Sequence, residues 1–324
     1  MRYMDIIVSG SNSVNYKIGN RDAHIHQDWD SNREPILTVE PGEKIQFDCR
    51  DASNGIITSD TDANDMRDES WAGHALTGPV AVNGAQVGDV LAVEIQSVEH
   101  NGWGYTLFRP GNWDEGLLPE EFEDPGFYFW HLSDKYAHFE NDIKIPLAPF
   151  PGVIGVVPEN NKPCSTVPPR EVGGNLDIKH LVEGSTVYIP VAVDGGLLSI
   201  GDGHAAQGDG EVCLSAIEAP LTVTVKVEIK PNMKINSPQF EVPAESAAIE
   251  TGPLYATTGI ADNLMSATKK AILEMIEYFV IEHGLTSEQA YILSSVSVDL
   301  KINEVVNEPN YVVSAYVPKR IFPN

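Results

Sequence analysis

PLTVTVKVEIK, residues 220–230, alternates apolar and polar side chains, so that Leu221, Val223, Val225, Val227 and Ile229 share one face of an extended chain. That pattern predicts a half-buried β-strand, the clearest in the sequence. Upstream, VEPGEKIQFDC (39–49), AQVGDVLAVEIQ (85–96) and LVEGSTVYIPVAV (181–193) each set a Gly at a turn and follow it with the same alternation. The recurrence predicts a β-rich body of sandwich or barrel type, although the copies are too short and too unevenly spaced to form a true repeat.

Downstream the periodicity changes. In DNLMSATKKAILEMIEYFVIEH (262–283), Leu264, Ala267, Ala271, Met275 and Phe279 recur at three- and four-residue intervals, and Gly284 follows as a C′ stop, predicting an amphipathic helix. Thr286 opens TSEQ with Gln289 as capping-box partner, predicting a second helix through AYILSSV before the strand-like VDLKINEVV. The expected architecture is mainly β with an α+β C-terminal part. Its divisions are a β-rich 1–160 with long loops, a β-rich 161–240 carrying a glycine-rich segment, and an α+β 241–324. DTDANDMRDES (60–70), LPEEFEDPGF (118–127) and IPLAPFPGVIGVVPENN (145–161) read as long loops, where sites tend to sit.

Composition restricts the partners. With 47 Asp and Glu against 21 Lys and Arg, the 324-residue chain has a formal charge of −26, which repels nucleic acid and anionic lipid. The same acidity serves solubility, for instance in salt. No apolar run has the length of a membrane span, and the N-terminal MRYMDIIVSGSNSVNYKIG lacks a signal-peptide core, so a cytoplasmic location is expected. Cys49, Cys164 and Cys213 form neither an even set nor a CxxC pair, which argues against a disulfide scaffold or a Cys-rich zinc site.

Chemistry concentrates in GDGHAAQGDGEVCLSAIE (201–218). Gly201, Gly203 and Ala206 satisfy a loose dinucleotide spacing, but Gly208 and Gly210 interrupt the helix that such a loop must open, and Asp202 and Asp209 would face the phosphates. No Lys-Ser or Lys-Thr follows, which excludes a Walker loop. The metal reading suits the same residues better. Asp202 and His204 stand two apart, on one face of an extended strand, and offer the carboxylate and imidazole donors that zinc and similar ions accept. Further ligands must come from elsewhere, with Asp60, His74, Asp177, Glu211 and Glu218 as candidates. DTDANDMRDES resembles the start of a calcium loop but lacks its Gly at position six and its closing Glu.

GDGHAAQGDGEV (201–212), AIE (216–218), GGNLDIKHL (173–181), EGSTVYIPV (183–191), FDCRDASNG (47–55), TGPVAVNGAQVGDVLAVEI (77–95), IPLAPFPGVIGVVP (145–158) and SEQAYILSS (287–295) together resemble the acetamidase/formamidase family, over nearly the whole chain. The resemblance implies metal-assisted hydrolysis of short amides such as formamide or acetamide to carboxylate and ammonia. It also implies β-sandwich and barrel parts and a homodimer. Residue by residue, the family's GDxH falls on Asp202 and His204, GDGE on Asp209 and Glu211, GGNxD on Asn175 and Asp177, and AIE on Glu218. Asp202, His204, Asp60, His74 and Asp177 are then the expected metal ligands, Glu211 and Glu218 the catalytic acid/base candidates or supports of the ligands, and Asn175 and Gln207 the substrate contacts. A divalent ion is implied, zinc first, with calcium as a candidate second ion. Alternatives are a lactam or other cyclic amide as substrate, or a metal-stabilised β protein that binds a small ligand without turnover. Neither a Ser-Ser-Lys relay nor a Glu-Lys-Cys site is visible, and Cys49 is the one cysteine within a family segment.

Overall fold

In the three Gly-led segments, Gly42, Gly88 and Gly184 all adopt φ between 86° and 93°, a left-handed turn conformation closed to most other residues. Each hands the chain into a strand of one large sheet. The computed structural model describes residues 14–67, 72–109, 123–139, 144–159, 162–211, 213–243, 253–285, 298–319 and 322.

The large sheet has nine strands, in the order Tyr16–Ile18, Lys44–Cys49, Leu221–Lys230, Val90–His100, Thr186–Pro190, Gln239–Val242, Leu254–Ala261, Tyr311–Pro318 and Asp299–Glu304. The strand read most clearly from sequence, Leu221–Lys230, lies between Lys44–Cys49 and Val90–His100 and pairs antiparallel with both. A second sheet runs Gly173–Asn175, Phe150–Gly155, Leu198–His204, Leu76–Val82 and Ile25–His26, with Leu37–Val39 also paired to Leu76–Val82. Phe47, Val93, Val223 and Val225 of the large sheet and Val80, Ile154, Leu198 and Ile200 of the second belong to one buried cluster, which is the sandwich core. A two-stranded ribbon, Trp103–Phe108 with Gly126–His131, stands beside it.

The helix runs Leu264–His283, capped by Asn263, whose side chain accepts from the Ser266 N–H, and stopped by Gly284 at φ 66°. Ala267, Ala271, Met275 and Phe279 are fully buried. Gly259 makes this packing close, since a Cβ there would lie 1.8 Å from the Ala267 carbonyl oxygen. The second predicted helix falls on residues 286–297, outside the described residues. No helix among the described residues is long and apolar enough to cross a membrane.

One reading changes. The stretch 145–161, expected as a loop, contains the strand Phe150–Gly155, buried at every residue. Its Pro and Gly exclude a helix but not an irregular strand whose partners are glycines: Pro151 lies opposite Gly203, and Val153 opposite Gly201. Gln239–Val242, next to the expected start of the C-terminal part, pairs with Thr186–Pro190 on one side and with Leu254–Ala261 on the other.

Candidate metal centre

The glycine-rich stretch begins as an interior strand. All seven residues of Leu198–His204 are buried, and a Cβ at Gly201 or Gly203 would lie 2.3 Å from Ala75 O or 2.4 Å from Ala219 O, respectively. These glycines serve the close approach of neighbouring backbones, not of a phosphate.

Asp202, at φ 52°, lies within this strand and His204 ends it; Asp177 (φ 48°) follows the Gly173–Asn175 strand, and Glu211 (φ 48°) follows the glycine loop. Three of the six non-glycine residues with positive φ among the described residues are therefore acids of one cluster, the kind of backbone strain that collects at functional sites. Glu218 is brought in by bridges to His204 and Tyr105.

His204 is the hub. Its Nε2 lies 3.3 Å from Glu218 Oε1, 3.4 Å from Asp202 Oδ2 and 3.8 Å from Glu211 Oε1, while its Nδ1 lies 3.9 Å from Asp177 Oδ1. His74 Nε2 approaches Asp202 Oδ2 at 3.8 Å. Among the described residues, Asp177, His204 and Glu211 form one group of potential ligands and Asp202, His204 and Glu218 a second, with the donor atoms in each within 4.8 Å of one another. Asp177 Oδ1 and Glu218 Oε2 are buried with no hydrogen-bond partner among the described residues. Gly152 keeps the space beside the hub open: a Cβ there would lie 2.8 Å from both His204 Nε2 and Asp177 Oδ1. Orphaned carboxylate oxygens around an imidazole nitrogen fit a divalent cation, which supplies the charge that burial otherwise denies them.

The electrostatics agree with that fit. Burial pushes the carboxyls of Asp177 and Glu211 well above the usual carboxylate range, and pushes Glu218 up to about 7. Burial would raise Asp202 too, but His74 and His204 hold it below its ordinary value. His204 moves up despite its burial, because Glu218 and Asp202 favour the cationic ring, whereas burial lowers His74.

A cavity of about 540 Å³ opens above the cluster. Asp177, Asp202, Glu211, Glu218 and His74 supply charged and polar lining, and Ile56, Ile57, Leu107, Val167, Leu214 and Val306 supply apolar lining. Asn175 also lines it; its Nδ2 donates to Val167 O at 3.0 Å, leaving Oδ1 without a partner.

Of the residues expected at the site, Asp177, Asp202, His204, Glu211 and Glu218 converge, His74 borders them, and Asn175 faces the cavity. Asp60 does not join them: it is exposed, its N–H donating to Thr58 Oγ1 at 3.3 Å. In the same acidic run, Asp62 and Asp65 spend carboxylate oxygens on the N–H groups of Asn64 and Asp62, and neither ligand group among the described residues falls there. Asp209 pairs with Lys179 at 2.8 Å. Cys49 is buried beneath the second sheet, its Sγ donating to Ile200 O at 3.5 Å.

Sequence reasoning missed Asn307, whose Nδ2 donates to Asp177 Oδ2, and Tyr105, whose hydroxyl meets Ser53 N at 3.2 Å and Asp51 Oδ1 at 3.3 Å. The signal for the second was present: Asp-Ala-Ser at 51–53 is an Asx-turn pattern, and Asp51 accepts from Ser53 N and Gly55 N, shaping the loop that lines the cavity. For Asn307 no local signal exists.

The chain is similar to known proteins in sequence and in fold. The acetamidase/formamidase family model matches residues 13–163 and 160–324. A formamidase of Methylophilus methylotrophus is 30% identical over 369 aligned positions, covering 93% of this chain and 90% of that one. A crystal structure of an acetamidase from Bacillus halodurans superposes with a TM-score of 0.85 at 30% identity, covering 94% and 98% of the two chains. A gamma lactamase from Delftia acidovorans superposes with a TM-score of 0.65 at 27% identity over 94% and 91%. The chain belongs to the acetamidase/formamidase family.

Proposed function

We propose that this amidase hydrolyses short aliphatic amides, formamide and acetamide among them, to carboxylate and ammonia in a metal-dependent reaction. The observation that carries the reading is the convergence of four buried carboxylates on His204, two of them with oxygens that have no hydrogen-bond partner among the described residues. His204, Asp202, Asp177 and Glu211 would hold the ion, with His74 beside Asp202. When bound, such an ion supplies Lewis acidity toward a carbonyl and lowers the pKa of water.

The remaining work belongs to side chains. Glu218, whose carboxyl burial holds above the usual carboxylate range, would take a proton and return it to the departing nitrogen, because an unprotonated amide nitrogen leaves poorly. Asn175 Oδ1, without a partner among the described residues, would accept an N–H of the substrate amide at the cavity wall. The apolar wall would receive the acyl group.

Zinc is the ion we propose, since imidazole and carboxylate donors suit it. A homodimer is proposed from the family resemblance, and a cytoplasmic location from the three free cysteines. A second reading keeps the chemistry and enlarges the substrate to a lactam. The cavity, within the range of pockets that take drug-sized ligands, and the likeness to the gamma lactamase favour it.

Elemental analysis, combined with ammonia release from formamide and acetamide before chelation, after it and after zinc is returned, tests the proposal. Activity lost and restored with the ion is expected. Turnover by metal-free protein would overturn the metal role. Bound metal with no ammonia from either amide would turn attention to a lactam, or to ligand binding without turnover.

A further inference from the structure

Gln207 lies three residues beyond His204, and its side-chain amide is committed at both ends. Its Nε2 is 2.9 Å from the carbonyl oxygen of Asp177 and 3.3 Å from that of Asn303, two groups that can only accept, so this end must carry the hydrogens. The oxygen end therefore faces His204 Nδ1 at 2.8 Å, and because an amide oxygen cannot donate, Nδ1 must. With its proton on Nδ1, a neutral imidazole directs its lone pair from Nε2, the atom that faces Glu218, Asp202 and Glu211. Gln207, expected from the sequence to contact substrate, is not among the described residues that line the cavity.

We propose that Gln207 is a positioning residue: it holds His204 in the Nδ1–H form and so makes Nε2 a metal donor, with the backbone of Asn303 as its anchor. This rests on the metal-dependent reading above. It also gives the C-terminal part a role at the site, because Asn303 O accepts from Gly210 N at 3.0 Å as well, tying the loop that carries Glu211 to the strand Asp299–Glu304. Partners of this kind, hydrogen-bonded to the second nitrogen of a ligand histidine, typically change metal affinity by tens of fold.

The test compares full-length wild type, Gln207→Glu and Gln207→Leu in zinc competition against a chelator, with circular dichroism and melting as controls of folding. Glutamate keeps an acceptor for Nδ1–H and leucine does not. Gln207→Leu is expected to weaken zinc binding about ten- to a hundred-fold, and Gln207→Glu, which keeps the acceptor for Nδ1–H but sets its second oxygen against the carbonyls of Asp177 and Asn303, to weaken it less than Gln207→Leu does. Two-bond proton–nitrogen NMR on the zinc-loaded, ¹⁵N-histidine-labelled wild type reads the ring directly and decides even where Gln207→Leu fails to fold. Zinc on Nε2 and a proton on Nδ1 support the proposal. A ligating Nδ1, a proton on Nε2, or undiminished affinity in folded Gln207→Leu overturns it while leaving the metal reading intact. A wild type that takes up no zinc overturns both.

Discussion

Asn307 donates Nδ2–H to Asp177 Oδ2 at 2.7 Å, across 130 residues of chain. The bond holds one oxygen of Asp177 and leaves Oδ1 turned toward His204. Asn307→Leu keeps the branched shape of the side chain and removes the donor. The expected result is a loss of turnover of about ten- to a hundred-fold, as for other residues that orient ligands, and a loss of about 1–3 kcal/mol in urea denaturation for the bared carboxylate oxygen. Ammonia release and the denaturation midpoint would both have to match wild type for this role to be wrong.

Glu218 and Glu211 differ in what they can do. Glu218 Oε1 accepts from Ala216 N at 3.0 Å and lies 3.3 Å from His204 Nε2 in the group that includes Asp202, whereas Glu211 Oε1 lies 3.8 Å from the same nitrogen in the group that includes Asp177. Glu218→Gln should keep metal content and lower kcat by about 10²- to 10⁴-fold. Glu211→Gln should lower metal content first. The reverse pattern in elemental analysis would exchange the two roles.

Gly152→Ala adds a single methyl group, 2.6 Å from His204 Cε1 and 2.8 Å from Asp177 Oδ1. His204 or Asp177 must give way, and a displacement near 1 Å costs about 100-fold in turnover. The far-ultraviolet spectrum should be unchanged, which separates damage to the centre from unfolding. Unimpaired activity would mean that the hub does not need its present position.

Cys49 is expected to be dispensable. Burial pushes its thiol up to about 12, so almost no thiolate exists at neutral pH, and its Sγ is turned to backbone carbonyls. Cys49→Ala should retain kcat within about two-fold while losing roughly 1 kcal/mol of packing. Alkylation of the native protein at this residue should be slow. A dead Cys49→Ala variant with intact fold would move the chemistry from the metal centre to sulfur.

Alternation and helical periodicity were legible where a residue's own neighbours decide its fate, as in Leu221–Lys230 and in the helix that Gly284 stops. Phe150–Gly155 was misread because its partners are the glycines of a distant segment, and only their missing side chains make a proline strand fit. At the site, the Asp202 and His204 spacing announced itself. The αL backbone shared by Asp177, Asp202 and Glu211 did not, since left-handed conformation in an acid leaves no mark in the sequence. Asn307 was invisible for a different reason: its meaning lies in a contact with Asp177, 130 residues away in the chain.

His26 predicts an acid limit to stability. Its Nδ1 bonds Asp28 O at 2.7 Å and its Nε2 meets the buried Ser199 hydroxyl at 2.9 Å; burial lowers its pKa to about 4 from 6.5. Between these values the unfolded chain binds the proton and the folded one does not. The stabilisation is therefore complete above about pH 6.5 and is lost as the pH falls toward 4, amounting to about 3 kcal/mol. Urea denaturation at pH 4.5 and pH 7 should show a steeper loss for wild type than for His26→Gln. Equal slopes would rule out this histidine as the cause.

The placement of the ligands has an evolutionary reading. Asp202 and His204 ride on a fully buried strand paired on both sides, whereas Ile56, Leu214 and Val306 ride on connecting segments around the cavity mouth. A lineage could then exchange one amide for another by rewriting the connections while the chemistry passes on untouched. Drift in preference would be frequent among descendants, and loss of the reaction rare and abrupt.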